Sequence, residues 1–245
     1  MPMLKISPAI ALCAILISGT AQAASLTIDT VVGAWSNANP AGTTVDNTTG
    51  PGDDTVSARW GQPTTSGGSQ SGYDFSGASS FSAVDNVDFV LGTFKHLNFP
   101  ITGSALTSIQ LAVAVSVAGY ASPIVSNFTF SHNETSNTPS ACLPGSVSVC
   151  DDVVTATLNL ASSDSFSLGG TDYVFTISGF EYNGSIFDSF MTQEGMANTA
   201  SLIGKFVAKD SLSAVPLPAT GLLLMGGFGG LAMLRRRRRD GRPAA

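Results

Sequence analysis

The side chains best suited to binding or acid–base work are two histidines and a set of acids. His96 sits within residues 94–101, and His132 within 128–137, two places before Glu134. Imidazole and carboxylate together hold transition metals or move protons. No spacing in the sequence requires these residues to meet. The simpler expectation is that each histidine organises a strand-to-loop turn through backbone hydrogen bonds. No catalytic residue, metal site or cofactor is therefore expected, and His96, His132 and Glu134 remain as binding candidates.

The paired acids Asp53-Asp54 and Asp151-Asp152 flank polar stretches. They read as solvated turn acids, with structural Ca²⁺ as the alternative. The chain has no Gly-x-Ser-x-Gly elbow, no His-Glu-x-x-His, no phosphate loop and no dinucleotide fingerprint. A glycosidase needs two carboxylates across a cleft, which no linear motif announces. Trp35, Trp60, Tyr73 and Tyr120 can stack on a sugar but read as core or core edge. A carbohydrate-binding module and a glycan-acting hydrolase are thus the alternatives to a non-enzymatic body. Cys142 and Cys150 bracket a segment containing Pro144-Gly145, a turn signal that brings its ends together. In an exported chain this even pair predicts a disulfide.

The elements that would position these groups read as strands. Apolar residues alternate with small or polar ones at Ile109, Leu111, Val113, Val115 and Val117, as in a sheet with one face on a core. Further candidates are 26–35, 56–60, 85–94, 127–132, 153–160, 173–180, 185–192 and 200–208, with long polar loops at 38–52 and 62–72. Short strands separated by turn chemistry predict one all-β domain, an antiparallel sandwich or jelly roll, over 24–209.

The two ends concern export. Lys5, an apolar run at 9–17 and Ala21-Gln22-Ala23 form a signal peptide, residues 1–23, with Ala24 as the first mature residue. A linker at 210–214 leads to Val215-Pro216-Leu217-Pro218-Ala219, an apolar run at 221–234 and the stop Arg235, Arg236, Arg237, Arg238, Arg239. Fourteen apolar residues cover about 21 Å as helix, short of a bilayer core of about 30 Å; counting from Ala214 gives about 31 Å, enough to span. Basic flanks stay cytoplasmic, so 240–245 lie inside and the body outside. The partners expected are secretion machinery and, through a C-terminal transmembrane helix, the membrane. Between Ala24 and Ala214 four basic residues face sixteen acidic ones, a net charge of −12. Such a body does not neutralise phosphate, so no nucleic-acid partner is expected.

The tail, residues 215–239, resembles the VPLPA-type PEP-CTERM sorting signals of Gram-negative bacteria, with Val215 to Ala219 matching letter for letter. That resemblance implies processing by an exosortase-type enzyme near the motif, then release or re-anchoring at the cell surface, in a setting of extracellular polysaccharide. Residues 217–221 also spell an LPxTG string, but Val215-Pro216 and the all-arginine stop favour the first pattern. The body is similar to the choice-of-anchor K domain, on Arg59-Trp60-Gly61, residues 91–101, residues 128–137, Gly179-Phe180 and Thr192-Gln193-Glu194. This resemblance implies a fold and a placement, and no activity.

Overall fold

The computed structural model describes residues 24–49, 54–135, 142–148 and 150–209. The expected signal peptide, linker, sorting motif, transmembrane helix and arginine stop lie outside these residues, as does Asp53. Among the described residues no helix is long and apolar enough to cross a membrane.

The chain begins with β1 (Ser25–Asn39), β2 (Thr44–Asp46), β3 (Thr55–Trp60), β4 (Gln62–Pro63), β5 (Ser71–Gly77) and β6 (Ser79–Val84). It continues through β7 (Phe89–Asn98), β8 (Ile101–Thr102), β9 (Ser108–Val117), β10 (Ile124–Asn133) and β11 (Asp152–Leu158). It closes with β12 (Phe166–Leu168), β13 (Thr171–Tyr182), β14 (Ser185–Phe187), β15 (Ser189–Thr192) and β16 (Met196–Ala208). Among the described residues one sheet runs β15-β11-β10-β9-β1-β6, and a larger one β12-β13-β16-β7-β5-β3-β2, with β14 beside β13. All pairings in both are antiparallel. The all-β, antiparallel expectation therefore holds, and the arrangement is sandwich-like.

Strand positions depart from expectation where composition misleads. The 38–52 stretch is not all loop: β1 runs to Asn39 and β2 adds Thr44–Asp46. The 62–72 stretch contains β4 and the start of β5. Both β5 and β6 are built largely of Ser and Gly, poor strand formers, yet β5 is held between β3 and β7. The single strand expected at 185–192 is two: β14 pairs with β13 in one sheet and β15 with β11 in the other.

The core lies between the sheets and is filled with aromatic rings. Phe130 of β10 approaches Trp35 at 5.4 Å, Phe94 at 5.3 Å and Tyr73 at 6.4 Å between centroids, which joins strands of both sheets. The inward rows follow the period-two rule. β10 buries Ile124, Ser126, Phe128, Phe130 and His132, and β7 buries Phe94, His96 and Asn98 on alternate positions. β11 buries Asp152 and Val154, and β15 buries Phe190 and Thr192. Each row thus turns polar toward the same end of the core, and that end carries the candidate site.

Candidate functional site

His96 and His132 do not organise turns; both point into the core. His96 is fully buried, and the His132 side chain has no exposed area. Their rings stand perpendicular, with centroids 5.0 Å apart. The cause is register. Within the larger sheet Tyr73 lies opposite His96, and within the other Asp152 lies opposite Thr192 while His132 lies opposite Val154. Packing the two sheets face to face then closes the group.

Each histidine is fixed from the opposite sheet. Tyr73 Oη and His132 Nδ1 share a 2.6 Å hydrogen bond. His96 Nδ1 and Thr192 Oγ1 share one of 2.8 Å. The Thr192 hydroxyl donates to the Asp152 carbonyl at 3.4 Å, so it is free to accept from His96 Nδ1–H. His96 then keeps a lone pair on Nε2. Trp60 stacks over the His96 ring at 5.9 Å. Asn98 Nδ2 donates to the Thr192 carbonyl at 3.1 Å, which ties the end of β7 to the end of β15.

The carboxylates come from the β10 end and the β11 start. His132 Nε2 lies 3.2 Å from Glu134 Oε2 and 3.7 Å from Asp152 Oδ2. Asp152 is fully buried. Its Oδ1 accepts from the Thr135 N–H at 2.9 Å. Among the described residues His96 Nε2, Asp152 Oδ2, Asn98 Oδ1 and Trp60 Nε1 are buried without a hydrogen-bond partner. Leaving such groups unmet costs about 1–3 kcal/mol each. His96, His132 and Asp152 each place one ligating atom within 4.8 Å of the others.

The electrostatics follow from burial. Desolvation, then the Glu134 charge, pushes the Asp152 carboxyl up to about 8. Desolvation, with His132 alongside, holds the His96 ring well below the usual imidazole range. Desolvation, with Asp152 and Glu134 nearby, raises the Tyr73 phenol well above its usual value. Arg59 and Lys95 do not relieve this: both pair with Asp74, at 2.6 and 3.8 Å. Among the described residues, the ion pairs of Asp152 and Glu134 are with His132.

Asp151 and Asp152 are both buried rather than solvated, whereas Asp54 of the other pair is exposed. Strand alternation sends Asp152 into the core, while Asp151 caps its own loop. The Asp151 carboxylate accepts from the N–H groups of Val147 and Ser148, at 3.0 and 2.9 Å, and from the Ser148 hydroxyl. Cys142 and Cys150 form the expected disulfide, and Thr135 Oγ1 donates to the Cys150 carbonyl at 2.6 Å. The crosslinked loop therefore braces the segment that presents Glu134 and Asp152. Trp35, Trp60 and Tyr73 are buried, and Tyr120 is partly exposed on the surface.

Sequence reasoning named His96, His132 and Glu134 but missed Asp152, Thr192, Tyr73 and Asn98 as their partners. The one available signal was polarity at inward positions: Asp152 falls in phase with Val154, and Asn98 in phase with Phe94. The chain matches no protein-family model and no curated protein.

Proposed function

We propose that this chain is an exported bacterial protein, processed at Val215-Pro216-Leu217-Pro218-Ala219 by an exosortase-type enzyme and displayed on or released from the cell surface. Its body serves as a structural or adhesive component of an extracellular, polysaccharide-rich matrix. The observation that carries the reading is the ordered run of motif, apolar segment and five arginines over 215–239. A segment capped by fixed cations is held at the membrane with its basic end inside. The Cys142–Cys150 disulfide suits an oxidising compartment. Most of the body's large rings, among them Trp35, Trp60, Tyr73, Phe94 and Phe130, are buried, which suits a closed jelly-roll-like sandwich of the choice-of-anchor K kind rather than a catalytic cleft.

Intact-mass measurement of the exported protein tests this. The expected product starts near Ala24 and lacks everything beyond the Val215 motif. Exported material that retains Arg235 to Arg239 defeats the proposal.

A second reading, a carbohydrate-binding module, has one observation in its favour. A surface groove of about 350 Å³ is lined by Tyr182, Asn183, Gln193, Asn198, Thr199 and Asp151, among others. An aromatic ring beside side-chain amides is a chemistry sugars use. Glycan-array binding that is lost on Tyr182→Ala supports it; a blank array leaves structural display.

A further inference from the structure

We propose that His96, His132, Asp152 and Glu134 form a transition-metal site of the zinc class that staples the two sheets together. The donors are two imidazoles and two carboxylates, a set that suits a borderline cation in a closed four-coordinate shell. His96 comes from β7 of the larger sheet; His132 and Asp152 come from β10 and β11 of the other. Glu134 follows β10 by one residue.

Three observations converge on a cation. The first is proton placement. The Thr192 hydroxyl donates to the Asp152 carbonyl and so accepts from His96 Nδ1. His96 Nε2 is buried and unpartnered among the described residues, and with the proton on Nδ1 it presents a lone pair. Asp152 Oδ2 is a second buried atom without a hydrogen-bond partner in the same group. A cation that displaces the Asp152 proton would meet both atoms at once.

The second observation is spacing. Donors about 2.0–2.1 Å from a tetrahedral metal lie roughly 3.3 Å from one another. His132 Nε2 already stands 3.2 Å from Glu134 Oε2 and 3.7 Å from Asp152 Oδ2. The His96, His132 and Asp152 ligating atoms fall within 4.8 Å of each other, so these three close on a metal with a movement of up to about 1.5 Å at the widest edge, and Glu134 joins them from the His132 side.

The third is outer support. Metal-bound histidine normally engages its other nitrogen with an oxygen, which fixes ring and tautomer. Here Thr192 Oγ1 holds His96 Nδ1 and Tyr73 Oη holds His132 Nδ1. When the metal takes His132 Nε2, Nδ1 carries the proton and donates it to the Tyr73 oxygen. Asp152 Oδ1 accepts from the Thr135 N–H, which leaves Oδ2 for the ion.

Three of the four ligands, His96, His132 and Asp152, are buried between the sheets, so the role is structural, with the part-exposed Glu134 closing the outer side. Nothing in the proposal requires the sorting tail, and the two can fail independently.

The test is metal uptake by the full exported protein. After chelator treatment, the chain is titrated with Zn²⁺ and, separately, with Co²⁺. The expected results are about one equivalent bound per chain, visible ligand-field bands of tetrahedral Co²⁺ with nitrogen and oxygen donors, and a higher melting temperature with Zn²⁺. His96→Gln, close in size and able to remain buried, is expected to abolish the tetrahedral bands and weaken Zn²⁺ at least about 100-fold, the upper range for lost support of a metal shell. Should that variant fail to fold, shifts of the His96 and His132 ring nitrogens on Zn²⁺ addition to the wild type decide the matter. No uptake by wild type, octahedral Co²⁺ alone, unshifted ring nitrogens, or uptake unchanged in folded His96→Gln would each overturn the site.

Discussion

Tyr73 carries the hydroxyl that reaches from the larger sheet to His132, and both groups are buried. Tyr73→Phe keeps the ring packing and removes that bond. The expected loss is about 1–3 kcal/mol of unfolding free energy, because His132 Nδ1 is left without its partner; urea denaturation of both proteins measures it. The neighbouring acid sets a pH dependence in chelator-treated protein. Asp152 ionises at about 8 in the fold against 3.8 in the unfolded chain. The folded state gains from that proton at low pH and loses the gain as pH rises through about 8. His96 acts in the opposite sense: the unfolded chain takes a proton near 6.5 before the buried ring does, so its effect is a loss on acidification below 6.5. Of these two groups only Asp152 acts above 6.5, so the melting temperature is expected to fall from that pH toward about 8. Asp152→Asn should flatten this decline; a slope unchanged in a folded variant would assign it elsewhere. Only part of this chemistry was legible in the sequence. His132 and Glu134 are two residues apart and meet through local geometry. Thr192 and His96 meet because two sheets pack, and no linear spacing encodes that contact. Asp152 reads with its neighbour Asp151 as a turn pair, although a strand begins at Asp152 and carries it into the core while Asp151 bonds its own loop.

Strands show the same division. β9 was plain, since Ile109 to Val117 alternate without interruption and the burial follows them. β5 and β6 were not, because Ser and Gly carry no periodic signal. What places β5 is close approach rather than propensity. A Cβ added at Gly77 would overlap the Val31 carbonyl oxygen of β1, a backbone atom that cannot swing aside. Glycine is therefore required where an end of the larger sheet's β5 meets the other sheet. Gly77→Ala should destabilise by about 1–3 kcal/mol or more, as overpacking against fixed atoms does. A thermal melt within a degree of wild type would show that β1 yields. The resemblance stretches, Arg59-Trp60-Gly61, 91–101, 128–137 and Thr192-Gln193-Glu194, supply Trp60, His96, Asn98, His132, Glu134 and Thr192 to one end of the core. Their convergence is a property of the register, which sequence patterning leaves open.

For the molecule as a whole, the two sheets share one aromatic core. Phe130 contacts Trp35, Tyr73, Phe94 and Phe180, across and along the sandwich. Phe130→Ala is expected to cost about 3–5 kcal/mol and to loosen both sheets together. Hydrogen exchange should therefore rise in β7 and β9 alike; faster exchange confined to one sheet would mean the halves are energetically separate.

β16 lies inside the larger sheet, flanked by β7 and β13, and its residues 201–204 are laddered to both. Antiparallel ladder bonds run perpendicular to the strand. Traction applied beyond Ala208 along that axis therefore loads both rows of bonds in shear, many at once, instead of peeling them singly. Under the proposed surface display, a body anchored through β16 would therefore resist being torn away in flow.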